Sequence, residues 1–370
     1  MIKLYFDNNI PYNIQHLIQY YPFEMSCLED CDYIISCKFN EGNINTTQKI
    51  QNSLNSYVNI PKKVIVFLIS DFADDFTIPY NVLLFRTSIY KSTKKFNEFL
   101  LPYIWENFLS TEFITLEKSN YPIVGFCGRV DKYREKLINM IKQDEYIKCN
   151  FILKQKFWGG DPHNTQLVND FRTNIEQSHF TICNRGNGNY AMRFYQTLSL
   201  GRIPVLVDYD HIFPFENEIP WNDICIIGKN EQDVINKIKK WWKEKDILSI
   251  HKKCRTIFEN YLCNKTFFTK IMEGFYDNKN KDNLFSFPLD FNSKIYGKYI
   301  DLEKLNFSQL IKHYMNNGII EKRIYKLPYD FNVNSYRMLN NDLQNLNYDQ
   351  LIKHFINFGI KENRQYINSS

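Results

Sequence analysis

HFTICNRGNGNYAMRFYQTLSLGRIPVLV, His179 to Val207, reads as strand, glycine loop, helix, glycine stop and strand. His179 to Cys183 is short, apolar and rich in strand formers. The loop Asn184-Arg185-Gly186-Asn187-Gly188-Asn189 follows, and its glycines let the backbone approach a ligand closely. The spacing predicts a helix from Tyr190 to Leu200 with Asn189 as N-cap, Gly201 as its C′ stop, and a buried strand over Ile203–Val207. A glycine loop feeding a helix N-terminus presents unpaired N–H groups and the positive end of the helix dipole, which suits phosphate. Arg185 opens the loop and Arg193 falls in the first helical turn, so both can offer permanently charged, planar donors to a diphosphate. Gln196, on the same helix face as Arg193, can bond a sugar or ribose hydroxyl. A generic crossover with solvated arginines is the plain alternative for a glycine pair alone; two arginines bracketing the loop turn the balance toward phosphate.

From Cys183 to Trp221 the chain resembles the exostosin family, glycosyltransferase family 47. The likeness rests on Cys183, Arg185, Gly186, Gly188, Asn189, Arg193, Phe194, Gly201, Ile203-Pro204-Val205, Pro214-Phe215 and Trp221 in order and spacing. It extends more weakly to Gly125-Phe126-Cys127-Gly128-Arg129 and Phe157-Trp158-Gly159-Gly160. Three positions depart from the pattern: Asn184 replaces a proline, Ala191 a serine, and Gln196 a common glutamate. The resemblance implies a GT-B-like α/β fold, two Rossmann-like domains facing a cleft, and an inverting, metal-independent transferase of the hexosyl or pentosyl class. A nucleotide-sugar donor, by family a UDP-sugar, then binds at Arg129, Arg185, Gly186, Gly188, Asn189, Arg193, Gln196 and Asp210. The partner is a glycan or protein-linked acceptor. The three departures keep a second expectation open, a glycan- or nucleotide-binding protein on a decayed transferase.

Composition agrees with packed domains: of 370 residues, 44% are hydrophobic and 16% aromatic. The net charge of +5 is mild and speaks against a nucleic-acid partner. Residues 291–370 carry 11 Lys/Arg against 7 Asp/Glu, so most of that charge falls in the tail. Nine cysteines without framework spacing fit a reducing compartment. No signal peptide or membrane span is visible, so a soluble cytoplasmic protein is expected. Heavy use of Asn, Ile and Lys points to an AT-rich microbial or viral source.

Residues 1–120 read as an N-terminal Rossmann-like acceptor domain. Its strongest strand is KVIVFLIS, Lys63–Ser70, a continuous apolar run suited to a buried parallel sheet. Asp71 and Asp75 follow its carboxyl end, where open α/β sheets bind ligands, and are the candidate bases for the acceptor hydroxyl. A helix N-cap or solvated loop is the structural alternative for both. Residues 121–280 read as the donor domain, with Gly128-Arg129 at its first βα turn and a helix over Asp131–Lys142. Arg134 there is a candidate for donor phosphate or sugar contact, though a surface helix position is the favoured reading; His163 is a candidate base read rather as a surface loop residue, and Trp158 is either a pocket wall or a loop anchor. Asp208-Tyr209-Asp210 resembles a divalent-metal motif for Mn²⁺ or Mg²⁺; it is discounted because nearby arginines already neutralise a diphosphate. A dehydrogenase is a third, less favoured reading, because the loop lacks the full Gly-x-Gly-x-x-Gly and no acidic ribose ligand sits at the expected offset. After the polar linker Asn278–Asn283, residues 288–370 form a tandem repeat of about 41 residues. Asp290-Phe291-Asn292 recurs as Asp330-Phe331-Asn332, and Leu310-Ile311-Lys312-His313 as Leu351-Ile352-Lys353-His354. Helical spacing at Phe307, Leu310, Ile311 and Tyr314 predicts two small α-helical units, with His313 and His354 in structural positions.

Overall fold

The computed structural model describes residues 1–39, 46–60, 62–103, 108–109, 112–156, 163–276, 291–306, 309–310, 313–318 and 321–367. Phe157–Gly160, the 278–283 linker, Asp290, Phe307, Ile311 and Lys312 lie outside the described residues. The chain separates into two compact units, Met1–Met272 and Glu273–Ser370.

The first unit holds two parallel sheets in a GT-B-like, double-Rossmann arrangement. Sheet one contains β1 (Ile2–Phe6), β2 (Phe23–Met25), β3 (Tyr33–Ser36), β4 (Lys63–Leu68), β5 (Val82–Arg86) and β6 (Glu98–Leu100), in the order β2-β1-β3-β4-β5-β6. Sheet two contains β7 (Ile123–Arg129), β8 (Lys148–Lys154), β9 (Phe180–Ile182), β10 (Ile203–Val207) and β11 (Ile226–Gly228), in the order β11-β10-β9-β7-β8. Interior strands are buried along their whole length, as in parallel sheets: β5, β9 and β10 have no exposed residue, and of these β10 is wholly apolar. The edge strand β8 begins and ends on lysine and alternates little, as an unpaired edge permits.

The helices are α1 (Tyr12–Ile18), α2 (Thr47–Asn55), α3 (Glu135–Lys142), α4 (Thr165–Glu176), α5 (Met192–Ser199), α6 (Trp221–Ile224), α7 (Glu231–Glu244), α8 (Ile247–Ile257) and α9 (Phe267–Tyr276). Thr46, Asn164, Asn230 and Asp246 cap α2, α4, α7 and α8 with their side chains. Phe268 of α9 returns to sheet one, its ring 6.1 Å from Phe67 and 5.7 Å from Tyr21.

Two local expectations change. α5 starts at Met192 and not at Tyr190, and Asn189 does not cap it; Ala191 stands at the N-cap without a side-chain bond. α3 starts at Glu135 because Asp131 turns the chain first, accepting from Tyr133 N at 3.0 Å through Oδ1 and from Arg134 N at 2.9 Å through its carbonyl. Residues 221–224 form the short helix α6 ahead of β11, anchored by the Trp221 indole donating to Pro214 O at 2.9 Å.

The second unit is built of short helical turns. Tyr296 and Tyr336 are fully buried, their hydroxyls hydrogen-bonded to Nδ1 of His313 at 2.9 Å and of His354 at 3.0 Å. Arg323 pairs with Asp301 at 2.8 Å and with Glu321; Arg364 pairs with Asp342 at 2.6 Å and with Glu362. Asn357 joins the two sets of turns, donating to Lys298 O at 2.9 Å and accepting from Ile300 N at 3.0 Å.

Candidate active site

In sheet two the chain leaves β7 toward β8 on one side and later returns to β9 on the other, so the order reverses between β7 and β9. Open α/β sheets bind ligands outside the carboxyl ends of the strands at such a switch point. A cavity lies there. Gly128 and Arg129 at the end of β7, the loop Gly186-Asn187-Gly188 after β9, and Ala191 and Met192 at the start of α5 line it. Asp71 and Tyr103, from the half that carries sheet one, line the same cavity.

Two arginines define its electrostatics. Arg193 is buried, with its guanidinium 4.3 Å from the ring centroid of Phe126 and 5.3 Å from that of Phe171. It donates to Cys127 O at 2.6 Å and Ile182 O at 3.3 Å; its buried Nε has no hydrogen-bond partner among the described residues. Arg134 is also buried, donating to Asn184 O at 3.3 Å and Arg129 O at 3.0 Å and pairing with Asp131 at 3.2 Å. Burial first, and the neighbouring Arg134 charge second, lower the Arg193 pKa to about 10, so it stays charged at neutral pH while the two guanidinium groups repel. Burial lowers the Arg134 pKa as well. Arg129, and Lys154, which pairs with Asp170 at 3.8 Å, bring the cations on the wall to four. With α5 uncapped, repelling arginines and the positive end of a helix dipole meet at one place, and an anion relieves all three.

Close backbone approach explains the glycines. At Gly128, with φ of 152°, a Cβ would meet Arg193 Nη2 at 2.6 Å. At Gly188 a Cβ would meet Asp71 Oδ1 at 2.9 Å and Ser88 Oγ at 3.2 Å, so Asp71 stands directly over the loop. Asp71 is presented by a fixed segment. Buried Arg86 donates to Phe72 O at 2.5 Å and Asp74 O at 2.9 Å and pairs with Glu98 at 2.8 Å. Thr87 exchanges bonds with Ser70 at 2.7 and 3.0 Å.

Of the residues singled out from sequence, Asp71, Arg129, Gly186, Gly188, Arg193 and Gln196 meet around this cavity. Four others are not among its lining residues. Asp75 is exposed and paired with Lys95. Arg185 is clamped by aromatic rings, 4.6 Å from the Tyr133 centroid and 5.4 Å from that of Tyr90, and donates to the Tyr90 hydroxyl at 2.6 Å. Asn189 donates through its amide to Ile89 O at 2.9 Å, while Ser88 Oγ accepts from its N–H at 2.8 Å. Asp210, at φ of 66°, accepts from Ser92 N at 3.0 Å and also from Ser92 Oγ. These three residues fasten the back of the glycine loop to residues 88–92. Asp208 is engaged separately by His211, whose hydrogen bond is the first cause holding the Asp208 pKa down at about 2.

Tyr103 was not singled out from sequence, and Arg134 was favoured there as a surface position over a donor contact. Arg134 is not a surface residue, because the turn at Asp131 delays α3 and folds the guanidinium back toward the strands. The arginine five residues after Arg129, with an aspartate three before it, was the available signal. His163 is exposed and is not among the lining residues. Asn184, at the family's proline position, donates to Tyr133 O at 2.7 Å and accepts from Val207 N at 3.0 Å, a structural use of the departure.

Residues 126–239 match the family model of the exostosin GT47 domain, less than half of the chain. Among solved structures, the chain is similar to HepE from Anabaena in complex with UDP-glucose, at 9% identity and a TM-score of 0.40, over 74% of this chain and 99% of HepE. It is similar to TarM at 12% identity and a TM-score of 0.37, over 69% of this chain and 55% of TarM. No curated protein matched the chain by sequence. The two parallel sheets are GT-B-like in arrangement. Among the described residues, no helix is long and apolar enough to cross a membrane.

Proposed function

We propose that this protein is an inverting glycosyltransferase that moves a sugar from a nucleoside diphosphate sugar, by family a UDP-sugar, to a hydroxyl of a glycan or protein-linked acceptor. The observation that carries the reading is the pairing of repelling, buried Arg134 and Arg193 at the uncapped start of α5, with Asp71 facing them across the cavity. The diphosphate lies over the glycine loop, held by Arg193, Arg134 and Arg129, and is stabilised there as it becomes the leaving group. Gln196 meets the ribose or the sugar. Asp71 takes the acceptor's proton as the acceptor oxygen attacks the anomeric carbon. Residues 1–120 serve the acceptor and 121–280 the donor. Residues 288–370 are a helical tandem repeat; the matched Tyr–His and Arg–carboxylate pairs of its two copies support that reading.

The test is incubation with individual UDP-hexoses and UDP-pentoses, following nucleotide release with and without EDTA. Release insensitive to EDTA is expected. Binding without release for every donor and acceptor offered supports a decayed binding protein instead. Release abolished by EDTA returns a metal role to Asp208 and Asp210.

A further inference from the structure

Asp71 has one side-chain neighbour with no part in the transfer described so far. Tyr103 follows β6, and its hydroxyl donates to Asp71 Oδ1 at 2.8 Å. Burial, and then the charge of Asp71, raise the phenol's pKa well above its ordinary value, so it remains a donor. The same Oδ1 also faces the glycine loop, 2.9 Å from where a Gly188 Cβ would sit. One carboxylate oxygen is therefore committed on two sides. A carboxylate has two oxygens, and fixing Oδ1 leaves Oδ2 for proton transfer. The ring of Tyr103 is placed in turn by the other half of the unit. Its centroid is 6.4 Å from that of Tyr195, and it packs against the core around sheet two. Tyr195 lies on α5 between Arg193 and Gln196. Arg86 and Thr87 hold the backbone around Asp71, and the Tyr103 hydroxyl, which also bonds the Thr87 side chain, meets Asp71 through its carboxylate.

We infer that Tyr103 is the positioning residue for the base, holding Asp71 Oδ1 so that Oδ2 takes the acceptor's proton, and tying that setting to the helix that carries the donor site. The inference rests on Asp71 serving as the base of the proposed transfer. In that step the acceptor oxygen bonds to the anomeric carbon and its proton moves to Asp71 Oδ2. The bond from that carbon to the diphosphate oxygen breaks, and its electron pair leaves on the diphosphate.

The experiment is a double-mutant cycle on the full chain, using wild type, Tyr103→Phe, Asp71→Asn and the double variant. The donor is the UDP-sugar that releases nucleotide fastest, with water as acceptor; kcat and donor KM are measured, and UDP Kd by calorimetry. Asp71→Asn is expected to lower kcat about 100-fold or more and Tyr103→Phe about 10-fold. The double variant matches Asp71→Asn alone, because Tyr103 acts only through Asp71. Donor KM and UDP Kd stay within about twofold of wild type, since no donor contact is removed. Equal losses from Tyr103→Phe in both backgrounds mark a merely structural role and overturn the inference. Wild-type kcat in Tyr103→Phe overturns it while leaving Asp71 as the base. Wild-type kcat in Asp71→Asn overturns the base assignment, and this inference with it. Absence of release from every donor overturns the transferase reading itself.

Discussion

The two ends of α5 are both surrounded by arginines and are built in opposite ways. At the C-terminal end Gly201, at φ of 63°, donates to Leu198 O at 2.9 Å and Arg202 N donates to Thr197 O at 2.9 Å, a Schellman closure. The Arg202 side chain is fully buried and donates to the carbonyls of Glu176, Leu200, Gly201 and Ile114 at 2.7–3.1 Å. Arg255 donates to Ser199 O. These positive charges sit at the negative end of the helix dipole, where they belong. At the N-terminal end no side chain caps the helix, Arg134 and Arg193 repel, and the positive charges meet the positive end of the dipole. A buried arginine is thus no evidence of a binding site by itself. The informative difference is whether its surroundings are electrostatically complete.

The comparison breaks most visibly under substitution at the completed end. Arg202→Met strands several buried carbonyls and is expected to cost about 3 kcal/mol in denaturant unfolding. The folded fraction still gains stability from UDP. Arg193→Met gives the converse. UDP affinity falls by about 30-fold, near 2 kcal/mol, in calorimetry, because a charged hydrogen-bond donor to the diphosphate is lost. Its unfolding free energy drops less than in Arg202→Met, because relief of the repulsion with Arg134 offsets part of the lost bonding. A larger stability loss in Arg193→Met than in Arg202→Met erases the distinction between the ends.

The glycines sharpen the same contrast. Gly201→Ala forces a side chain into positive φ, with its Cβ 2.9 Å from His251 O, and is expected to cost about 2 kcal/mol in urea unfolding. Gly188→Ala brings a Cβ within 2.9 Å of Asp71 Oδ1 and 3.3 Å of the Asp71 Cα, without the positive-φ strain of Gly201, so it is expected to cost about 1 kcal/mol while displacing Asp71 and lowering turnover.

The last effect is one of pH. Burial first, and Arg202 next, lower the His251 pKa to about 3 beneath the completed end. An unfolded histidine titrates near 6.5, so the stability from a neutral His251 is whole above that pH. It declines by about 1.4 kcal/mol per pH unit as pH falls toward 3, because only the unfolded chain takes up the proton. His251→Gln is expected to flatten that slope in urea titrations at pH 6.5 and 5.5; an unchanged slope removes His251 as its source.

The architecture was legible where apolar runs meet glycine punctuation. Ile203–Val207 and the stop at Gly201 were read at both ends, and Asp71 was found because ligands gather at strand carboxyl ends. The strands Phe23–Met25 and Glu98–Leu100 were not legible, since three residues carry no period. The start of α5 was misread because Asn189 has the chemistry of a cap, yet its amide is used on Ile89 in the other half of the unit. Arg185 is held away from the cavity lining in the same way: its partner Tyr90 is distant in sequence. Local propensity says nothing of such long-range claims on a polar side chain.

The central claim is that a diphosphate docks at the open end of α5 over Arg134 and Arg193. Calorimetric titration of UDP and of uridine into wild type and into the Arg134→Met/Arg193→Met double variant tests it most directly. Wild type is predicted to bind UDP about 100-fold more tightly than uridine, and a folded double variant to lose that preference. Equal UDP affinity in the two proteins contradicts the account.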